Sequence, residues 1–442
     1  MKTRRIRRCW LILLSVSVSA TAQKLTVHSL DEAWQYANQH NSAIATARSN
    51  GQIAQKGVQN AYGHLLPTIA VTGGFTDNLT LQPTLVPASL FGGSPNVFNE
   101  VVFGKQFLYN AMLSAQLDLL NLPRWNQIKA AKIEQELALV QQQKTKANAY
   151  ATLSDAYYAV LWWNEVAVLT EQNDQAADRI WQIAQNRFRE GTISEVSLNT
   201  AQINREKTRL SLETARYNQE QAEEQLKAFL ELPADSKLAL TETLTKKVLM
   251  VSDSSDFTTH PDVLLAQAQV RKANQSLKTA QSAFSPTLSA LYQGNIQLAA
   301  NSFLSFENAS HLPQQYIGLR LNIPILAGTD RKYQTDVAHL NLLNSQQQYT
   351  AIQHQIQHQD QRMLQGYASA LNTVQKSQRI MELYAQNDLH AQRRLAEGII
   401  PLDERLRAFS DWIGYQNEYV QHLLDYLNQR VQLTIRQRTF NE

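Results

Sequence analysis

One pattern, written twice, constrains this chain more than any other feature. Ile44, Ala47, Gly51, Ala54, Val58, Ala61 and Leu65 step by three and four, and Pro67 follows. Moving 219 residues on gives Val263, Ala266, Val270, Ala273, Leu277, Ala280 and Phe284, then Pro286. A three-four stripe of small and apolar residues is the seam of a helix packed as in a coiled coil. Self-similarity at so long a spacing is a duplicated domain rather than a solenoid repeat. Each copy therefore runs helix, breaker, and then something of different period.

The stripe extends into very long helices. Between Pro123 and Gly191 lie 67 residues with neither Gly nor Pro, rich in Ala, Gln, Glu, Lys and Leu. Such residues favour helix, and at ~1.5 Å per residue they span roughly 100 Å. The first copy (23–233) is expected to hold helices over 31–65, 124–190 and 192–232. The second (260–442) is expected to hold helices over 260–284, 330–397 and 402–440. Residues 234–259, rich in Ser, Thr and Asp, read as the connection between copies.

Between the helices the period drops to two. Phe107, Tyr109, Ala111, Leu113, Ala115, Leu117 and Leu119 alternate with Asn110, Ser114, Gln116 and Asp118. Ile69, Val71 and Phe75 alternate with threonines. Leu288, Ala290, Tyr292, Ile296 and Leu298 alternate with Ser289, Gln293, Asn295 and Gln297. Ile317, Leu319, Leu321 and Ile323 alternate with Tyr316, Arg320 and Asn322. Alternation marks a strand with one apolar and one wet face. Two strands per copy are expected, near 66–81 and 105–121 in the first, and near 286–299 and 315–325 in the second.

Composition removes several function classes. Lys2, Arg4, Arg5, Arg7 and Arg8, the apolar run Leu11–Val18 and Ala20-Thr21-Ala22 read as a secretory signal over 1–22. Without it the formal charge falls from +3 to −2, so nothing supports nucleic-acid binding. The single cysteine, Cys9, leaves with the signal, and the mature chain has no disulfide, thiol nucleophile or thiolate metal site. His354 and His358 have metal-compatible i, i+4 spacing, but their Gln-rich surroundings read as a solvated face. No catalytic motif appears, and neither enzyme activity nor a cofactor is expected. No second apolar stretch is long enough to cross a bilayer as a helix, so entry into a membrane must use strands.

Four strands do not close a transmembrane barrel, which needs about eight or more. The strands must be shared among copies, with apolar residues toward lipid. Asn110, Gln116, Asp118, Gln293, Asn295 and Arg320 would then line the lumen. The alternative is a periplasmic coiled-coil structural protein that never enters a membrane, but such a rod has no use for paired, duplicated strands.

Specific motifs sharpen the reading. Leu30-Asp31-Glu32-Ala33 with Asn41 opens the chain, and Leu66-Pro67-Thr68 and Ser285-Pro286-Thr287 introduce strands. Arg187-Phe188-Arg189-Glu190-Gly191-Thr192 and Arg394-Leu395-Ala396-Glu397-Gly398 form two helix tips. In this order and duplicated, they resemble the TolC-like outer-membrane efflux family. The resemblance implies a homotrimer, a shared twelve-stranded barrel in the outer membrane, and a helical tunnel through the periplasm. It also implies docking to a periplasmic adaptor and an inner-membrane pump, as the passive exit duct of a tripartite efflux or type I secretion system. On the same basis Arg187, Gly191, Thr192, Arg394 and Gly398 are candidate adaptor contacts. Glu195, Asp403 and Glu404 are candidate acids of the periplasmic gate. The chain departs from the family's lock, with Leu395 near an expected tyrosine and Arg407 near an expected acid.

Overall fold

The computed structural model describes residues 24–94, 96–244, 260–304, 306–307, 309–325 and 328–438. The expected signal over 1–22, most of the expected connection (245–259) and the final residues of the last expected helix lie outside them.

In chain order the first half contains β1 (Lys24–Val27), α1 (Leu30–His40), α2 (Ser42–Gly63), β2 (Thr68–Asp77), β3 (Pro83–Pro87), β4 (Phe98–Val102), β5 (Phe107–Leu120), α3 (Leu122–Arg189) and α4 (Glu195–Phe229). The second half contains β6 (Lys237–Leu240), α5 (Pro261–Ser282), β7 (Thr287–Ala300), β8 (Ser310–Asn322), α6 (Asp330–Ala396) and α7 (Leu402–Gln437). The described residues divide into two compact units, one within 1–46, 145–258 and 358–442, the other within 47–144 and 259–357. These units cut across the sequence duplication: each takes pieces of both copies, and α3 and α6 belong partly to each.

The first unit is built from α1, α4, α7 and the C-terminal parts of α3 and α6. One core gathers Leu153, Tyr157, Leu226, Leu423, Tyr426 and Leu427, all essentially inaccessible. A second core near the helix turns contains Ile180, Ala184, Ala201, Leu395, Leu406 and Phe409. Gly366 does not interrupt α6. A Cβ there would sit 2.9 Å from the Gln429 amide oxygen of α7, so glycine permits that close approach. Two short parallel strands complete the unit, with β1 paired to β6 from Lys24↔Lys237 to Val27↔Leu240. The stretch expected as plain connection therefore begins with an ordered strand.

The helix expected over 31–65 is two helices. Asn41 breaks it by satisfying backbone groups on both sides. Its Oδ1 accepts from the N–H groups of Ala43 (3.1 Å) and Ile44 (3.3 Å), while its Nδ2 donates to the Phe229 carbonyl (3.0 Å). Ser29 caps α1 by accepting the Glu32 N–H, as a Ser N-cap with Glu at the third helical position does.

The second unit holds an antiparallel sheet ordered β2-β5-β7-β8, with β2 and β8 as open edges. The two central strands come from different copies, so the duplication is joined through the β5–β7 ladder. Strand β8 starts earlier than the alternation predicts and runs through Pro313, which an edge strand tolerates because no neighbour needs its missing N–H. The loop expected over 82–104 folds into the β3–β4 hairpin. Within this unit α3 and α5 are tied by Gln275, whose amide donates to the Asn126 carbonyl and side chain, both at 3.2 Å. No helix among the described residues is long and apolar enough to cross a membrane.

Candidate functional site: a two-faced sheet and a pair of helix tips

The sheet register sorts its side chains. Thr68, Ala70 and Thr72 of β2 oppose Gln116, Ser114 and Met112 of β5. These residues lie on one face with Asn110, Asp118, Ser289, Gln293, Asn295, Gln297, Tyr316 and Arg320. All six residues expected to share a wet face thus share one. The opposite face carries Ile69, Val71, Phe75, Leu113, Ala115, Tyr292, Ile296, Ile317, Leu319 and Leu321.

That apolar face is uncovered. Val71 is 75% exposed, Ile317 82% and Leu319 70%. Exposed apolar areas this contiguous mark an interaction or membrane surface. Toward the β2–β5 loop end it finishes in an aromatic cluster. Phe75 lies 5.2 Å from Tyr109 and 5.7 Å from Phe303, and Tyr109 lies 5.1 Å from Phe306, between ring centroids. Aromatic residues flanking an apolar band are the pattern of a membrane-interface girdle.

The wet face is knit by side-chain hydrogen bonds. Tyr316 donates to the Gln293 carbonyl oxygen, and the Gln293 amide points to Met112 Sδ at 2.9 Å. At the helix-proximal end Asp118 is held three ways. Arg124 Nε approaches it at 3.1 Å, Asn121 Nδ2 donates at 2.7 Å and Gln116 Nε2 at 3.3 Å. Arg124 also donates to the His64 carbonyl. Just beyond, Leu119 and Leu120 face Leu288 across a bulge that ends the ladder before α3 begins.

The first unit supplies the two tips, and they share one local chemistry. Gly191 has φ 72° and Gly398 φ 74°, the left-handed conformation that side chains resist. Thr192 N–H returns to the Arg187 carbonyl at 2.9 Å, and Ile399 N–H returns to the Arg394 carbonyl at 2.9 Å. These six-to-one bonds are Schellman closures. Arg187, half-buried, reaches across to the Leu395 carbonyl at 3.2 Å, so one tip is fastened to the other. Arg394 is exposed and faces Glu404 at 3.7 Å. Thr192 Oγ1 donates to the Arg187 carbonyl.

Glu195, Asp403 and Glu404 are exposed and each sits in the first turn of its helix. Acids there are favoured by the helix dipole. Leu395 is buried in the tip core.

Sequence reasoning passed over two arginines that organise the tip region. Arg405, buried beside Asp388, forms a two-point ion pair and lies 5.3 Å from the Phe409 ring centroid. Burial pushes the Asp388 carboxyl above its ordinary range, and Arg405 draws it partly back. Arg205 reaches Asp178 at 2.7 Å while lying 4.2 Å over Trp181. The signal was present as Asp388–Arg405 and Asp178–Arg205 in facing helices, but without a known helix pairing these were four charges among many. In the larger core, burial followed by a hydrogen bond to Glu242 (2.7 Å) raises the Tyr157 hydroxyl pKa. Burial followed by a hydrogen bond with Tyr367 pushes the Tyr426 pKa up to about 12. Trp162 and Trp163 pack edge to face at 4.3 Å on the same helix. His354 and His358 are exposed, and Asp360 is taken by Arg436 through contacts of 2.7 and 2.8 Å. Among the described residues no group of three or more His, Cys, Asp or Glu could hold a metal.

Residues 33–230 match the family model described as outer membrane efflux protein. The chain is similar in structure to CusC, solved in a study of conformational changes accompanying folding and transmembrane channel formation (TM-score 0.75, 15% identity, 95% of each chain covered). It is similar to the outer membrane protein VceC of Vibrio cholerae (TM-score 0.73, 14% identity, 93% of this chain and 97% of that one). It is also similar to the CmeC outer membrane channel of Campylobacter jejuni (TM-score 0.69, 16% identity, 92% and 84%). No curated protein sequence matches significantly. At these identities the structural likeness establishes the fold, which is that of outer-membrane channel proteins. The family match agrees with it, and the chain is assigned to the outer membrane efflux protein family.

Proposed function

We propose that the protein is a trimeric outer-membrane duct, the passive exit of a tripartite efflux or type I secretion system. The observation that carries this is the four-stranded sheet with two open edges, one polar face and one exposed apolar face. An open edge leaves unpaired N–H and C=O groups, which lipid cannot satisfy. Three copies joined β8 to β2 preserve antiparallel alternation and close twelve strands. Lipid then covers Val71, Ile317 and Leu319, and water fills the side of Gln116, Gln293 and Arg320. The long helices α3 and α6, each roughly 100 Å by residue count, suit a tunnel wall in the periplasm.

In this reading the tips meet a periplasmic adaptor, and through it an inner-membrane pump. Arg187, Gly191, Thr192, Arg394 and Gly398 are the contact residues. Glu195, Asp403 and Glu404 present like charges where the tunnel narrows, which resists closure and attracts cations. The protein acts by conduction rather than by catalysis.

Purified mature protein in detergent should run as a heat-modifiable trimer and should form conducting pores in a planar bilayer. A monodisperse monomer, soluble without detergent and silent in the bilayer, would instead favour the periplasmic coiled-coil protein.

A further inference from the structure

The inference concerns the chemistry of the wet sheet face and rests on the proposed duct. On that face of β2, β5, β7 and β8 only two residues carry charge, Asp118 and Arg320. They sit in one row, with Ser289 between them: Asp118↔Ser289 and Ser289↔Arg320. Two strand spacings separate them by about 9–10 Å, too far for an ion pair. The acid is already neutralised, because Arg124 and two amides occupy its carboxylate. Arg320 is exposed, and among the described residues no acid pairs with it.

The row therefore carries one surplus positive charge per chain, at the end of the sheet where the chain turns into α3 and α6. In a closed trimer three Arg320 side chains would lie at one level of the lumen. Twelve strands at ~40° tilt and ~4.8 Å spacing give a barrel radius of roughly 12 Å. An extended arginine covers about half of that distance. Guanidinium groups grip oxyanions through paired N–H donors, and the remaining wall offers neutral Ser, Thr, Gln and Asn hydroxyls and amides.

We propose that the Arg320 row is an oxyanion site at the inner end of the barrel. It selects transiently for cargo bearing a carboxylate, sulfonate or phosphate. This is the opposite preference to that of the three tip acids, so the duct would carry two charge filters in series.

The test uses the mature trimer in planar bilayers at low salt, where screening is weak. Benzene-1,3,5-tricarboxylate is added from the side reached by the β2–β5 and β7–β8 loops, so that it need not pass the tips. The wild type should be blocked, and its anion-over-cation permeability should exceed that of Arg320→Gln. The Arg320→Gln variant should weaken block several-fold, and Arg320→Lys should restore most of it. Since the tips are identical in all three, they cancel from the comparison. Conducting wild-type and Arg320→Gln pores with equal block and equal permeability ratios would overturn the oxyanion site and leave the duct standing. A wild type that forms no pores would overturn both.

Discussion

Replacing Arg405 with Met should loosen the helix tips by an amount the structure lets one bound. The side chain has about the volume of the arginine stem, so packing on Leu406 and Phe409 is largely kept. What is lost is the two-point pair with Asp388, whose side chains are 6% and 12% exposed, and the contact with the Phe409 ring at 5.3 Å. Removing one partner of a buried pair costs about 3–5 kcal/mol, since the other charge is left unpaired. Each 1.36 kcal/mol is a factor of ten in an equilibrium. Local opening of the α6–α7 turn should rise by about two to nearly four orders of magnitude. Amide hydrogen exchange of residues 388–409 in the detergent-held trimer reads this directly, because exchange of native helices follows the local opening equilibrium. Asp388→Asn combined with Arg405→Met should recover most of the loss, and the double-mutant cycle should show strong coupling. If the double variant exchanges as fast as the sum of the singles, the pair is not a unit and the reasoning fails.

Three further perturbations have defined outcomes. Gly191→Ala and Gly398→Ala meet no steric obstacle but force a side chain into φ near 72–74°; each should cost about 1–2 kcal/mol, visible as a lower thermal midpoint. Tyr426 binds its proton more tightly when folded (about 12 against 10.0). The folded state therefore holds more protons than the unfolded one between those values, so its stability is full below pH 10 and declines as pH rises toward 12. Tyr426→Phe should flatten that alkaline decline in a denaturation series. Ile317→Lys on the exposed apolar face should cost about 2–4 kcal/mol of membrane insertion if it sits near the bilayer centre, while Gln293→Lys on the other face should insert normally; equal trimer yields would contradict the assignment of faces.

Long-range periodicity made most of the architecture readable. The alternation through Phe107–Leu119 and Leu288–Leu298 placed the polar residues on a common face before any register was known. The helix lengths followed from the spacing of Pro123, Gly191, Gly328 and Gly398. What stayed hidden depended on contacts between distant segments. Asn41 looks like an ordinary residue in a striped helix until the Phe229 carbonyl arrives to take its amide. Lys237–Leu240 is a strand only because Lys24–Val27 lies beside it. The ordering of Arg405 and Asp388 is likewise a product of helix packing, and no local pattern marks it. The turn glycines were visible because backbone geometry leaves a chemical signature at one position; a buried ion pair leaves none.

The central claim is that one face of the sheet borders water and the other borders lipid. Because the sole cysteine, Cys9, precedes the mature chain, single cysteines can be introduced without background. Placed at positions 69, 71, 114, 116, 293, 317, 319 and 320 of the trimer in lipid vesicles, they can be treated with a charged, membrane-impermeant maleimide. Positions 114, 116, 293 and 320 should react and positions 69, 71, 317 and 319 should not, an every-second-residue rhythm along each strand. Uniform labelling of both sets would mean that neither face meets lipid and would contradict the barrel.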